Sequence, residues 1–298
     1  MINKKFAVFI LTHGRSDKVI TYRTLRKQGY TGDVYFLLDD QDTEIDQYMQ
    51  IYGKDRVIVF DKQKQASETD CGDITGDLRV VVYARNRCFR EAQKLGLDCF
   101  LQLDDDYSKF EHRYIHDGKL RAKRVQNLDL LFEYMIDFLY ETDSTVVAFA
   151  QGGDLSGGIK NQFLKKGLLR KAMNTFFMRT DKPVEFKGRL NEDVTMYVTG
   201  DIRGEKIFTY QFVDVTQIDT QKQKGGLSDI YLDMGTYYKS FFSVMYAPSC
   251  VKITSMGDRH LRLHHRINWK NCAPMILDEK YGRKNESKTD KNTGIKTV

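Results

Sequence analysis

Short apolar runs recur along the first third of the chain, and each one stops on a polar cluster. The run "FAVFIL" (residues 6–11) gives way to Thr12, His13, Gly14 and Arg15; "VYFLL" (34–38) to Asp39 and Asp40; "VIVF" (57–60) to Asp61; and "CFLQL" (99–103) to Asp104, Asp105 and Asp106. Runs this short and this uniformly apolar read as strands buried on both faces. Between them, "DKVITYRTLRKQGY" reads as a helix stopped at Gly29. "ARNRCFREAQKLG" does the same, with Phe89, Ala92 and Leu95 three apart and Gly96 at the helix end. Strands alternating with helices predict an α/β fold with a mostly parallel central sheet flanked by helices.

In an open parallel sheet, ligands collect beyond the carboxyl ends of the strands. The polar ends at 12–15, 39–40 and 104–106 therefore describe one rim. Three consecutive carboxylates there repel one another, and a divalent cation is a physical reason to keep them together, because oxygen ligands suit magnesium, manganese and calcium. A calcium loop of the EF-hand type does not fit, since its turn glycine would fall on Lys109.

Composition narrows the setting. With 298 residues, 41% of them hydrophobic, and only three prolines, the chain can bury a sizeable core without any evident linker. One domain is expected over 1–279, in two halves, 1–107 and 108–279. A polar tail, 280–298, carries six Lys/Arg against two acids and reads as disordered. No run is long enough for a membrane span, and five scattered cysteines without a CxxC fit reduced thiols, so a cytoplasmic location is expected. The net charge of +6 is concentrated in that tail and in two internal stretches, "KFEHRYIHDGKLRAKR" (109–124) and "KNQFLKKGLLRK" (160–171). Each is either a solvated face or a contact for a polyanion.

The stretch "ARNRCFREAQKLGLDCFLQLDDD" resembles the segment of GT-A nucleotide-sugar glycosyltransferases in which an Ala-Arg-Asn helix start precedes the strand bearing the DxD motif. Together, "VFILTHGRSDKVITYRTLRKQGYTGDVYFLLDD", "ARNRC", "LQLDDDY" and "RLNEDVTMY" resemble the phage glycosyltransferases associated with TET/JBP-type oxygenases, which add sugars to 5-hydroxymethylpyrimidines in DNA. The resemblance implies a GT-A fold, a UDP-sugar donor bound by the 1–107 half, an acceptor and catalytic half at 108–279, and, if the gene is a phage's, a place in the host cytoplasm. It also implies Mn2+ or Mg2+ on Asp104 and Asp106, with Asp105 facing the sugar. Thr12, His13, Gly14, Arg15 and Asp39 would line the uridine and ribose pocket, with Arg85 and Asn86 nearby. The acceptor would be DNA, most simply its 5-hydroxymethylcytosine, gripped by the basic stretches and presented by base flipping.

An inverting transfer to a hydroxyl also needs a base. In "GRLNEDVTMYV" an Asn-Glu-Asp turn precedes a strand-like run, and GT-A enzymes commonly carry their base in such a segment; Asp193 is the first candidate and Glu192 the second. Late histidines in "DRHLRLHHRINW" (258–269), which reads as a strand, offer a further metal ligand, His264 or His265. The glycine-bearing segments 149–162 and 220–231 match neither a Walker A loop nor GxGxxG and are expected to be mobile loops near the site, while 237–246 reads as a core helix. Three readings compete with a DNA glycosyltransferase. They are a GT-A enzyme acting on a glycan, protein or other acceptor, a nucleotidyltransferase, and a non-catalytic basic module that only binds DNA.

Overall fold

The computed structural model describes residues 4–73, 75–166, 169–217, 235, 237–256 and 261–274. The basic tail, the 220–231 loop, Arg259 and His260 lie outside the described residues. Eleven strands and eight α-helices appear among those described. The strands are β1 (Phe6–Leu11), β2 (Val34–Asp39), β3 (Val57–Phe60), β4 (Cys99–Asp104), β5 (Tyr107–His116), β6 (Lys119–Arg124), β7 (Val146–Gln151), β8 (Phe176–Arg179), β9 (Ile207–Gln217), β10 (Val251–Met256) and β11 (Arg262–Ile267). The helices are α1 (Ile20–Lys27), α2 (Ile45–Tyr52), α3 (Lys62–Ser67), α4 (Val82–Lys94), α5 (Leu128–Glu141), α6 (Gln162–Lys166), α7 (Glu192–Arg203) and α8 (Lys239–Tyr246).

Nine strands form one sheet in the order β3-β2-β1-β4-β8-β7-β9-β5-β6. The first four run parallel, β7 is parallel to β9, and β8, β5 and β6 pair antiparallel with their neighbours. This is the α/β architecture the apolar runs predict. The strands are apolar throughout because successive side chains enter different cores. From β1, Val8 and Ile10 join one core with Leu25 of α1 and Phe132 of α5. Phe9 and Leu11 join the other with Phe89 of α4 and Tyr197 of α7. Burying both faces leaves the polar strand ends as the exits from the core, which is what assembles the rim.

Three segments differ from expectation or qualify it. "EDVTMYV" is helical, not strand-like: α7 buries Val194, Met196, Tyr197 and Val198, and that packing overrides the strand preference of its β-branched residues. The 149–162 glycines form short 3-10 turns at Gly152–Leu155 and Gly158–Lys160, pinned by Leu155 packing with Ala150 and Phe163. The predicted helix at 237–246 is present as α8, which buries Phe242 but exposes Phe241 and Met245.

Candidate functional site

One backbone bond, from the Thr12 amide to the Leu37 carbonyl at 3.4 Å, joins the loop after β1 to β2; side chains make the other ties to the ends of β2 and β4. Thr12 sits between Tyr48 and Asp105: its hydroxyl donates to Asp105 Oδ2 at 2.7 Å and lies 2.8 Å from the Tyr48 hydroxyl. His13 Nδ1 meets Asp39 Oδ2 at 3.0 Å, and Asp39 also faces Lys62 Nζ at 3.3 Å. The Gly14 amide donates to Asp42 Oδ2, and Gly14 adopts a φ of +62° that favours glycine. The Arg15 amide donates to the Tyr48 hydroxyl while its guanidinium donates to Asp105 Oδ1 at 3.1 Å. Thr12, His13, Gly14, Arg15 and Asp39 thus come together as expected. Asp42, Tyr48 and Lys62 complete the cluster, and nothing in their local sequence marks them, because they reach the rim from α2, α3 and the β2–α2 connection.

The three carboxylates at the end of β4 have three different environments. Asp105 is buried and holds Thr12 and Arg15, so it braces the β1 loop instead of facing outward as the resemblance implied. Asp104 accepts from Arg85 Nη2 at 3.2 Å, with the Tyr107 hydroxyl at 3.4 Å from its other oxygen. Asp106 has a buried Oδ1 with no hydrogen-bond partner. Burial, then the charges of Asp104 and Asp105, push its pKa up to about 7. Burial also raises Asp104 and Asp105, against the lowering pull of Arg85 and Arg15 respectively. Backbone contacts from α1 fix the turn: the Thr21 hydroxyl donates to the Asp104 carbonyl and the Thr21 amide to the Asp105 carbonyl.

Arg85 joins this turn to the candidate base. Only 2% exposed, it lies against Phe176 and Phe186 and donates through Nε to Glu192 Oε1 at 2.9 Å as well as to Asp104. Burial opposes its charge, but Asp104 and Glu192 more than offset that, and its Nη1 has no partner. Glu192 and Asp193 form the first turn of α7, where carboxylates suit the helix dipole. Asp193 Oδ1 accepts from the Val194 amide, and burial followed by the charge of Glu192 pushes its pKa up to about 7.

Asn86, expected beside the donor, instead clamps the Phe186 backbone, donating to its carbonyl and accepting from its amide at 2.9 and 2.8 Å. Asn191 starts α7 in a left-handed conformation, φ 54°, and its side-chain amide reaches His265 Nδ1 at 3.2 Å and the Ser243 hydroxyl. His264 and His265 lie on β11 with ring centroids 4.3 Å apart. Burial, then His264, lowers the pKa of His265 to about 4, so it is a neutral imidazole beside Asn191 and the Glu192–Asp193 turn.

Among the described residues no three His, Cys, Asp or Glu side chains converge on a ready-made metal cage. The residues nevertheless fit a divalent ion in one respect: a buried carboxylate oxygen without a partner costs free energy that a cation relieves. No described helix is long and apolar enough to cross a membrane.

Several solved structures are distantly similar. Glucosyl-3-phosphoglycerate synthase from Mycobacterium tuberculosis, crystallised with Mg2+ and uridine diphosphate, is 9% identical with a TM-score of 0.48, over 89% of this chain and 88% of that one. S. aureus TarS 1–349 is 18% identical with a TM-score of 0.42, over 80% and 65%. The mannosyltransferase PcManGT from Pyrobaculum calidifontis, solved with GDP-Man and Mn2+, is 11% identical with a TM-score of 0.48, over 83% and 65%. At that distance none of the three bears on what this chain binds. A comparison with curated proteins finds no match. The family model of TET-associated glycosyltransferases matches residues 6–226, a span that holds the β1 loop, the carboxylate triplet, Arg85 and the Glu192–Asp193 turn. The chain therefore belongs to the TET-associated glycosyltransferase family and is a glycosyltransferase.

Proposed function

We propose that this glycosyltransferase moves a sugar from a UDP-sugar to the hydroxymethyl group of a 5-hydroxymethylpyrimidine in DNA, 5-hydroxymethylcytosine first. The observation that carries the donor half is the orphaned Asp106 Oδ1 beside Asp104 at the sheet rim. Asp104 and Asp106 would hold Mn2+ or Mg2+, with the donor diphosphate completing the oxygen ligands. When bound, that ion supplies charge stabilisation for the departing UDP. The remaining work falls to side chains of the chain itself. His13 and Gly14, on the loop that Thr12 and Arg15 anchor to Asp105, and Asp39 at the end of β2 would face the nucleoside.

Glu192 is held by Arg85, so proton removal from the acceptor hydroxyl goes to Asp193, whose raised pKa suits a base working near neutral pH. Arg85 keeps the base-bearing turn in register with Asp104. His265, neutral and hydrogen-bonded to Asn191, is the candidate for a further metal ligand, with His264 behind it. Family membership supports the acceptor assignment, and a base within a duplex would have to be extruded to reach the rim. The test is to incubate the protein with several UDP-sugars, Mn2+ and DNA containing hydroxymethylcytosine or hydroxymethyluracil, and to weigh the digested nucleosides. A hexose or pentose mass gain on the modified base is expected. Transfer to a peptide or glycan with no gain on any base would overturn the DNA acceptor.

A further inference from the structure

The two internal basic stretches look alike in sequence, but the fold treats them differently. In 160–171, Arg170 donates to the Trp269 and Cys272 carbonyls and lies 3.8 Å from Asp201, while Lys171 is ion-paired with Asp154. Those two cations are structural. The other stretch folds into the β5–β6 hairpin, turned at Asp117 and Gly118, both with positive φ as a tight Asp-Gly turn requires.

Its register sorts the side chains. Residues directly opposite in an antiparallel pair share a face. His112 opposes Lys123, Tyr114 opposes Arg121, and His116 opposes Lys119, so these six residues form one face. Glu111, Arg113, Ile115, Leu120, Ala122 and Arg124 form the other. That second face is the anchored one. Arg113 makes a two-bond pair with Asp214, and Leu120 packs on the Ala150, Leu155 and Phe163 cluster.

The first face carries no carboxylate. Lys119, Arg121 and Lys123 are exposed, alternate along the outermost strand of the sheet, and have no ion-pair partner among the described residues. Tyr114 is 44% exposed beside Arg121. Asp117, at the turn, lies with its Oδ2 3.2 Å from His116 Nε2. Alternate residues of a strand are about 6.8 Å apart, so the three cations make a row of about 14 Å. Lysines on an edge strand also discourage sheet-to-sheet association, but that role does not require the aromatic partner or the absence of acids across the whole face.

From the pairing register and this single-sign charge we infer that the His112, Tyr114, His116, Lys119, Arg121, Lys123 face is a docking surface for the phosphate backbone of duplex DNA. The hairpin begins at Tyr107, immediately after Asp106, so a duplex on this face is held at a fixed relation to the rim. The inference rests on the DNA-acceptor reading for its choice of partner.

Its test is the triple variant Lys119→Ala, Arg121→Ala, Lys123→Ala, which alters only exposed side chains. Duplex binding is measured directly as a function of salt, alongside transfer kinetics. Every phosphate that a cation neutralises adds about 0.9 to the slope of log affinity against log salt, so removing all three should lower the slope by about 2.7, with affinity at least tenfold weaker in 0.1 M salt. The KM for DNA should rise with kcat held. Unchanged affinity and slope would overturn the docking surface whether or not DNA is modified. If wild-type protein modifies no base yet loses duplex affinity in the triple variant, the surface stands and the acceptor reading falls.

Discussion

Asp39 and Asp106 stand at the carboxyl ends of strands in the same sheet, and they are tuned in opposite directions. Burial would raise both. At Asp39 the His13 hydrogen bond and the charge of Lys62 outweigh it and leave the carboxyl below its ordinary range. At Asp106 no fixed partner meets the buried oxygen, the neighbouring carboxylates add to burial, and the pKa rises to about 7. Asp193, whose Oδ1 accepts from the Val194 amide, is likewise pushed up to about 7, by burial and the charge of Glu192. The contrast is between a carboxylate whose partners are fixed and one whose buried oxygen has none; under the proposed function a cation would meet Asp106 and the acceptor proton would go to Asp193.

The largest effect should come from removing the unmet charge. Asp106→Asn or Asp104→Asn should cut sugar transfer by at least 1,000-fold on the scale of lost electrostatic stabilisation, with an unchanged circular-dichroism spectrum. Retained turnover in either variant would end the metal assignment. Next, Asp193→Asn should lower kcat by roughly 100- to 10,000-fold while leaving donor KM nearly constant. A Glu192→Gln variant that loses more than Asp193→Asn would transfer the base role to Glu192.

The pH response tests the same contrast without mutation. A base with a pKa of about 7 must be ionised to act, so kcat should climb between pH 6 and 8 and flatten above. Stability should move the other way. Asp106 and Asp193 bind protons more tightly folded than unfolded, so their contribution is fully present below the unfolded carboxylate pKa, near 4, and is lost as pH rises through about 7. Thermal melts of the metal-free protein from pH 5 to 8 should show that decline. A rising melting temperature across the window would mean that neither group is raised.

The smallest effect belongs to a residue whose partners are fixed. Asn86→Ala leaves both Phe186 backbone groups without their partner and should cost about 1–3 kcal/mol in denaturant unfolding, with less effect on donor KM than on stability. A donor KM that changes while stability does not would put Asn86 back beside the nucleotide.

Much of this contrast was legible in the chain. The β1 to β4 strands and their polar ends follow from apolar runs, and the rim follows from where those runs stop. What sequence did not disclose is which carboxylate in "DDD" would be braced: Asp105 turns inward because Thr12 and Arg15, about ninety residues away, meet it there. The run "VTMYV" was misleading because β-branched residues favour strands locally, whereas burial against the second core makes them helical. Tyr48 and Lys62 carried no signal, being one tyrosine and one lysine among many. The hairpin did carry one, the Asp-Gly pair at 117–118, which marks a two-residue turn and would have sorted the basic residues onto faces.

The donor half of the proposed function requires the orphaned carboxylate at the end of β4 to be a cation site. Mn2+ affinity, measured by water-proton relaxation at pH 8 with UDP present, tests this directly on wild-type protein and on Asp106→Asn. Saturable binding to the wild type should weaken at least 100-fold in the variant. Equal affinities in the two proteins would contradict the cation site.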